Sequence, residues 1–495
     1  MRLFLLKSYS YVMAKLNSRY FMFAVLALFV IQALWIALSF RFSMLYDEAF
    51  HVDAIKLYSH QISPYITDQA TYYDKYGSLS HGWATLFHYA MSFPYRLISV
   101  FTNDLVVRVI SLRIIDIAMA ATGVFLLSVL FRKMKIRQIY INITLLIYVL
   151  IPITPFVAAT ISYDNMLLPL TALYFIMGID LLKKKKVDAT DYLRLIIIGC
   201  IASLVKFTFL PIFAASVLFI AVFMYKKHSK AFFVEFIKSL KKKSKKSIYV
   251  LVSLTIIIVG WFSSIYLYNL AVYHAVNPEC SRLMSEKRCE SSGLVQRKEQ
   301  ALAIRNELKQ TAMNADQYIQ YWVSHMINWS VTTGARPSDG GTVVAQPIKS
   351  IYKLIYIASF VGFAILLYSW RSLHKDEGWY FLVTITASLT LAEFLQNYLL
   401  YQKLLYPFSI QPRYFLSVVP IVIVMCMMAC AFVLRKVKPE YKLLVVAVFF
   451  MLMTQGGGLT THILLSQDTW YWDNSTVRDV NDTAKKILHP LVIGS

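Results

Sequence analysis

Apolar stretches alternate with short polar segments along most of the chain. Each stretch is about twenty residues long, which lets a helix cross a bilayer. Hydrocarbon offers no partners to backbone N–H and C=O groups, so a spanning segment is a helix or a strand of a closed barrel, and the alternation of barrel strands is absent. The pattern predicts an all-α polytopic membrane protein with about eleven spans. They are expected at residues 20–40, 107–131, 138–157, 162–182, 191–206, 208–225, 248–270, 350–370, 378–399, 413–434 and 442–463.

Charged residues between the spans indicate the orientation of the chain. Basic clusters occur at residues 132–137, 183–186, 226–246, 371–375 and 435–438. Lys and Arg concentrate in cytoplasmic loops, and with eleven spans and a cytoplasmic N-terminus every cluster falls on the cytoplasmic side. The 50 Lys and Arg against 27 Asp and Glu give a net charge of +23. Because these cations lie between apolar runs, we expect contact with anionic membrane lipids and no nucleic-acid partner.

This topology divides the chain into five parts. They are a cytoplasmic basic arm at 1–19, an N-terminal transmembrane module at 20–270, a second outer loop at 271–349, a C-terminal transmembrane module at 350–463 and an outer tail at 464–495. A first outer loop, residues 41–105, lies within the N-terminal module. It contains the residues with the most informative chemistry.

Both outer loops are expected to carry helices that lie at the membrane surface. In the second loop, residues 294–329 mix polar positions with Tyr and Trp, a composition that suits the interface between lipid and water. Cys280 and Cys289 are close in sequence on the outer side. A disulfide between them is predicted because an extracytoplasmic compartment is oxidising.

The segment "MLYDEAFHVDA", residues 44–54, places several ionisable groups directly after the first span. In a helix, Asp47 and His51 are one turn apart on the same face. A carboxylate beside a histidine can accept a proton from a hydroxyl group or hold a divalent metal ion. The alternative is an ordinary polar cap to the membrane helix.

Three more ionisable residues are predicted at the outer ends of spans. Asp164 begins a span, where it could simply cap the helix, and together with Asp47 and His51 it is a candidate metal ligand. Lys206 and Arg413 stand where the distribution of basic residues disfavours them. A phosphate would explain both cations; the alternatives are snorkelling to the interface or an ion pair with an outer acid.

Several motifs resemble those of the GT-C superfamily of integral-membrane glycosyltransferases. They are "YDEAFH" after the first span, "RVISLRIIDIAMAATGVFLLSVLFRK", "ISYDN", "VKFTFLP" and "IQPRYFLSVVP". The sequence is most similar to a bacterial group of largely uncharacterised predicted transferases. Two positions depart from the group's pattern: Pro412 replaces a usual Gly, and Ser417 stands where Pro is common. Neither change removes the guanidinium of Arg413.

The resemblance implies transfer of a sugar from a polyprenyl-phosphate donor to a saccharide, lipid or protein acceptor. The reaction would take place at the extracytoplasmic face of a bacterial cell membrane and invert the anomeric carbon in a single displacement. In this scheme Asp47 acts as the base toward the acceptor hydroxyl, and Asp164 assists it or binds a divalent metal ion. Lys206 and Arg413 would stabilise the departing phosphate.

Three further residues receive roles from the same resemblance. Glu48 and His51 would orient the base or contact the sugar. His81, in "YGSLSHGW", could line the cavity, although a histidine beside Trp83 could also be structural.

Two other classes of protein fit parts of the pattern. A transporter or flippase of a lipid-linked saccharide would also need buried cations, but such proteins commonly consist of paired halves with sites near the bilayer midplane. A non-catalytic receptor or assembly subunit would leave the candidate residues scattered. An enzyme requires Asp47, Asp164, Lys206 and Arg413 to converge on one cavity that is open to the outer face and to lipid.

Overall fold

The structure is a computed structural model. It describes residues 10–66, 69–79, 85–184, 186, 188–228, 231–241, 245–308, 312–335, 343–373 and 376–492. Helices make up almost all of the regular structure within these ranges, as the apolar pattern predicts.

The helices of the first half follow the predicted spans and the first outer loop. Residues 10–16 are also helical. The labelled helices are α1 (Arg19–Ser39), α2 (Glu48–Ser59), α3 (Thr85–Phe101), α4 (Leu105–Lys133), α5 (Gln138–Leu150), α6 (Ile153–Ala158), α7 (Tyr163–Lys183), α8 (Ala189–Val205), α9 (Leu210–His228), α10 (Ala231–Lys241) and α11 (Lys245–Phe262).

The second half contains the second outer loop and the remaining spans. Its helices are α12 (Tyr268–Tyr273), α13 (Cys280–Leu283), α14 (Glu286–Cys289), α15 (Gly293–Leu308), α16 (Ala315–Ser330), α17 (Lys349–Leu373), α18 (Glu377–Leu404), α19 (Val419–Val433), α20 (Pro439–Thr454), α21 (Leu459–Leu465) and α22 (Ser475–Leu488). A two-residue antiparallel strand pair, β1 (Gly334–Ala335) and β2 (Val343–Val344), lies between α16 and α17. Short 3₁₀ turns at Thr71–Tyr76, Phe207–Phe209 and Pro412–Phe415 bear on the site.

Among the described residues, nine helical segments are long and apolar enough to cross a membrane. The other two predicted spans are helical but shorter. The segment 138–157 is divided at Ile151 and Pro152 into α5 and α6, and α8 has 17 residues. The late span predicted from Arg413 starts as a helix only at Val419, because the 3₁₀ turn precedes it.

The centre of the bundle is the contact between α4 and α7. Gly123 of α4 faces α7 so closely that a Cβ atom there would lie 2.5 Å from Cγ of Leu168. Small residues permit this kind of approach between helices in lipid. Helices α1 and α5 pack beside this pair, and α8 packs on the other side of α7.

One end of the bundle collects basic side chains. Lys133 forms an ion pair with Asp180. The Lys183 ammonium donates to the carbonyl oxygen of Lys133 at 2.6 Å, and the Lys227 ammonium donates to that of Leu182 at 2.9 Å. This is the basic end; helix α7 begins at the opposite end.

The two long loops contact one another at that opposite end. Arg288 donates to both carboxylate oxygens of Asp74, each at 2.7 Å, and so ties the second loop to the 3₁₀ turn of the first. Cys280 and Cys289 form a disulfide, as expected from their spacing. Residues 294–329, predicted to form one or two helices, form two, α15 and α16, and Asn314 caps the start of α16.

The predicted outer tail is an ordered part of the fold. Phe40, after α1, pairs with Tyr471, and Arg41 donates to the carbonyl oxygen of Trp470 at 2.9 Å. Trp35 on α1 donates to Asn481 of α22 at 3.0 Å. The tail therefore packs where α1 leads into the segment that carries Asp47.

Candidate active site

Asp47 lies in a tight bend between α1 and α2. Tyr46 and Asp47 both have left-handed backbone angles, with φ of 64° and 66°. This region is sparsely populated by residues other than glycine, and such strain concentrates at functional sites. The side chain of Asp47 is 37% exposed.

Arg413 holds this bend from the other half of the chain. Its guanidinium donates to a carboxylate oxygen of Asp47 at 2.7 Å and to the carbonyl oxygen of Tyr46 at 2.9 Å. The 3₁₀ turn Pro412–Phe415, between α18 and α19, supplies the arginine. Its side chain is 3% exposed, so the ion pair is shielded on the arginine side.

A second ion pair joins Asp164 and Lys206. The Lys206 ammonium lies 2.5 Å from a carboxylate oxygen of Asp164, and both side chains are almost fully buried. Asp164 is in the first turn of α7, where Ser162 caps the helix, and Lys206 follows the last residue of α8. Helices α7 and α8 pack together, which places the two residues at one level of the bundle.

Aromatic rings connect the two ion pairs. The Lys206 ammonium lies 4.3 Å from the centre of the Tyr414 ring and 4.5 Å from that of Tyr163. The Arg413 guanidinium lies 5.5 Å from the centre of the same Tyr414 ring. Cations over aromatic faces are stabilised electrostatically. The structure thus places Asp47, Asp164, Lys206 and Arg413 in one cluster.

Charge within this cluster is balanced by pairs. Asp164 also stabilises the charge of Arg413, and Glu393 of α18 acts electrostatically on Lys206. Removing one partner of a buried pair leaves an uncompensated charge, which is strongly destabilising. The cluster keeps two cations in a low-dielectric setting, where they act strongly on a charge that develops nearby.

Glu48 occupies a different environment from its neighbour Asp47. Its side chain is fully buried, and both carboxylate oxygens accept from Arg113 of α4 at 2.8 Å. The backbone N–H groups of Met44 and Ile161 also donate to it, at 2.7 and 3.3 Å. Arg113 in turn donates to the carbonyl oxygens of Ala37 and Phe40. Glu48 therefore stabilises the bend, and its side chain is not accessible to solvent.

His51 is buried next to a second histidine. Its Nδ1 shares a hydrogen bond of 2.8 Å with Nε2 of His88 on α3, and its ring meets that of Tyr163 edge-on at 4.6 Å. Its Nε2 has no hydrogen-bond partner among the described residues. His51 thus contacts the cluster through Tyr163.

Burial lowers the pKa of His51 well below its ordinary value. The neighbouring His88, Arg413 and Lys206 lower it further because each disfavours another positive charge. His51 is therefore neutral at physiological pH. No pattern in the sequence marks His88, since it approaches His51 only through the packing of α2 against α3.

Two other residues of the first loop complete the comparison with the sequence. His81 lies outside the described residues, so its predicted contact with substrate stays a prediction. Asp53, which the sequence places on another face of α2, accepts from the Tyr76 hydroxyl at 2.7 Å and pairs with Lys75 at 3.0 Å. It anchors α2 to the neighbouring 3₁₀ turn.

The predicted metal ligands do not fit a divalent ion in this arrangement. Asp47 and Asp164 are each paired with a cation, which competes directly with a metal. His51 lies beneath Tyr163 with one ring nitrogen bonded to His88. The described part of the chain contains no group of three or more His, Cys, Asp or Glu side chains that could hold a metal. The geometry of these residues therefore gives no basis for a metal-dependent step.

Several solved structures are similar to this chain, and two of them are structures of the same protein. The chain is similar to ArnT from Cupriavidus metallidurans in the apo state, with 11% identity over 94% of this chain and 70% of that chain and a TM-score of 0.48. It is similar to ArnT bound to undecaprenyl phosphate, with 12% identity over 96% and 72% and the same TM-score of 0.48.

No protein-family model matches the sequence, and no curated protein matches it. The roles of individual residues are therefore argued from the geometry of this chain.

Proposed function

We propose that the protein is a membrane glycosyltransferase that takes its sugar from a polyprenyl-phosphate donor. The observation that carries the proposal is the pairing of an exposed carboxylate, Asp47, with the buried cation Arg413, beside a second buried cation, Lys206. A base next to two fixed positive charges suits a reaction in which a hydroxyl loses a proton and a phosphate leaves.

The proposed step is a single displacement. Asp47 takes the proton of the acceptor hydroxyl while the oxygen attacks the anomeric carbon of the donor. The bond between that carbon and the phosphate oxygen breaks, and the electron pair leaves with the lipid phosphate. Arg413 and Lys206 stabilise the negative charge on the phosphate. Attack from the face opposite the leaving group inverts the anomeric carbon.

The other predicted residues take supporting roles in this proposal. Asp164 holds Lys206 in place and balances its charge. Glu48 is buried and forms an ion pair with Arg113. It is a positioning residue, because it stabilises the bend that contains Asp47. His51 supports Tyr163, whose ring lies against Lys206.

An apolar groove whose lining begins five residues after Lys206 and reaches Lys226 fits the lipid part of such a donor. It has a volume of about 670 Å³ and runs between α9 and α18. Its wall on α9 starts at Pro211, five residues after Lys206, and continues through Ala215, Leu218 and Val222. These residues lie three or four apart, so they form one stripe of the helix. A polyprenyl chain in this groove would bring its phosphate toward Lys206.

A transporter is the alternative that the sequence left open. Asp47, Asp164, Lys206 and Arg413 all lie at or beyond helix ends, at the end of the bundle opposite the basic end. Transport sites commonly lie at the bilayer midplane between broken helices. The position of the cluster therefore favours an enzyme that works at the membrane boundary.

The test is substitution of the base. In Asp47→Asn, release of undecaprenyl phosphate from a panel of undecaprenyl-phosphate sugars should fall by about 10²–10⁴-fold, because a positioned base contributes that much. The matched control is Asp53→Asn, which removes a carboxylate from α2 outside the cluster and should retain turnover. Wild-type turnover in Asp47→Asn would show that Asp47 is not the base.

A further inference from the structure

A cavity of about 470 Å³ opens between α16 and the start of α17, and the proposed function does not account for it. We propose that this α16 cavity binds a saccharide, which is the non-reacting part of the acceptor. Only the statement that this saccharide is part of an acceptor depends on the proposed function. The volume is in the range of small-molecule sites, about 300–1,000 Å³.

One face of α16 forms the first wall. Tyr321, Ser324, His325 and Asn328 are spaced by three, one and three residues, so they share that face. A different stripe of the helix makes the packing contacts: the Trp322 indole, for example, donates to Asn397 of α18 at 3.0 Å. The contact with α18 is therefore made by a different face of α16 from the one that lines the cavity.

Rings along this face are arranged in a row. The centres of the Tyr321 and His325 rings are 5.3 Å apart, with planes inclined by 28°, and the Tyr321 hydroxyl lies 3.2 Å from Nδ1 of His325. Trp329 continues the row at 5.7 Å from His325. Aromatic rings with a polar end provide flat apolar area together with hydrogen-bonding groups, which matches the mixed C–H and hydroxyl faces of a sugar.

The second wall supplies further hydrogen-bonding groups. Gln346, which follows β2, and Tyr352 on α17 face the cavity, and the Tyr352 hydroxyl lies 3.2 Å from that of Ser324 across it. Amide groups such as those of Asn328 and Gln346 both donate and accept, as sugar hydroxyls require. A lipid chain offers no hydrogen bonds to the amide groups of Asn328 and Gln346, whereas sugar hydroxyls do. The lining therefore favours a saccharide over a lipid.

Two contacts connect the elements that form the cavity walls to the elements of the candidate active site. Ala335 of β1 forms a bridge with Met44, three residues before Asp47, and β2 leads from that strand pair to Gln346. On the other side of α16, Trp322 meets Phe415, in the turn that carries Arg413, at 6.1 Å. An acceptor could thus bind here through one sugar unit and present another to Asp47. Binding energy from such a remote part can be used to orient the reacting hydroxyl.

The experiment measures binding without catalysis. The full-length protein is placed in phosphatidylcholine nanodiscs, and saturation-transfer NMR is recorded with maltotriose, chitotriose and trigalacturonate. We expect at least one trisaccharide to bind and its affinity to fall by about tenfold in Tyr321→Ala and in Asn328→Ala, as expected for loss of a stacking or hydrogen-bond partner. Gln320→Ala, an exposed amide on α16 outside the cavity, is the matched control.

The possible outcomes separate this inference from the proposed function. Absence of binding by all three trisaccharides, or unchanged affinity in correctly folded Tyr321→Ala and Asn328→Ala, would overturn the cavity assignment. Asp47→Asn should bind the trisaccharide as the wild type does while losing sugar transfer. In the transfer assay, Asn328→Ala should raise the KM of the acceptor and leave the KM of the donor unchanged; an effect on the donor alone would contradict the inference.

Discussion

The buried pair of Lys206 and Asp164 is predicted to contribute both to stability and to donor binding. In Lys206→Met the buried carboxylate of Asp164 loses its partner, and stability should fall by about 3–5 kcal/mol. The double variant Lys206→Met/Asp164→Leu replaces the pair by apolar side chains and should recover most of that stability. Thermal unfolding in detergent measures both effects.

The double variant also separates the two roles. If Lys206 contacts the donor phosphate, the stable double variant should bind undecaprenyl phosphate at least about tenfold more weakly than the wild type. Unchanged affinity in a folded double variant would mean that the pair is structural only.

His51 gives a prediction about pH at the same scale. Its pKa is lowered in the folded protein, whereas in the unfolded chain it is near 6.5. Below that value the unfolded state takes up the proton and the folded state does not, so stability falls as the pH decreases from about 6.5. The unfolding temperature should therefore decrease between pH 7 and pH 5. His51→Gln should flatten this dependence, and the exposed His60→Gln should not; equal slopes in all three proteins would contradict it.

The bend at Tyr46 and Asp47 explains why the sequence could not separate the roles of two adjacent acids. Asp47 and Glu48 are neighbours in the chain, but left-handed backbone angles at Asp47 turn one carboxylate outward and the other into the bundle. No short-range pattern predicts such angles for a residue other than glycine. The arginine that receives Glu48, Arg113, is 65 residues away.

Helix packing is tested best at Gly123, where α4 meets α7. Gly123→Ala places a Cβ 2.5 Å from Cγ of Leu168 and 3.0 Å from the backbone nitrogen of Pro169. The helices must then move apart, and stability should fall by about 1–3 kcal/mol. Gly260 of α11 has nothing within 4 Å of that position, so Gly260→Ala should be neutral or slightly stabilising. Equal unfolding temperatures for the two variants would show that the contact is not tight.

Individual spans were predicted well from the sequence, and their interruptions were not. Hydropathy marks where hydrocarbon requires a helix, and each predicted span is largely helical. Pro152 interrupts one of them because proline has no N–H to donate within a helix. Arg413 lies in a predicted span because the residues that follow it are apolar. In the structure it lies in a 3₁₀ turn, and the hydrogen bond from Arg413 to the carbonyl oxygen of Tyr46 explains why this segment is not part of the α-helix.

The whole molecule has two chemically different ends, and their orientation can be tested. We propose that the basic end is cytoplasmic and that α22, which packs near the Asp47 bend, lies outside. In intact cells Asp479→Cys should react with a membrane-impermeant maleimide, whereas Lys226→Cys should react only after lysis. Both positions are exposed, and the wild type gives the background from its own cysteines. The reverse labelling pattern would invert the topology.

For the whole molecule, the sequence predicted that the four site residues lie at the same end, but it did not predict which acid pairs with which cation. Placing Asp47, Asp164, Lys206 and Arg413 at the same end required only the count of spans and the side on which basic clusters fall. Which acid pairs with which cation depends on the packing of α7, α8 and the turn before α19. Tyr414 lies within the quoted motif "IQPRYFLSVVP", but the motif does not indicate that its ring contacts both cations.

The balance of charge within the cluster has a consequence for how a donor arrives. Asp47 and Asp164 offset Arg413 and Lys206 at short range, so these four residues project little field beyond a Debye length of about 8 Å. An anionic donor is then not drawn in from a distance. Under the proposed function, a lipid-linked donor reaches the protein by lateral diffusion within the leaflet, and the encounter rate should depend on the density of donor in the membrane and hardly on the ionic strength of the medium.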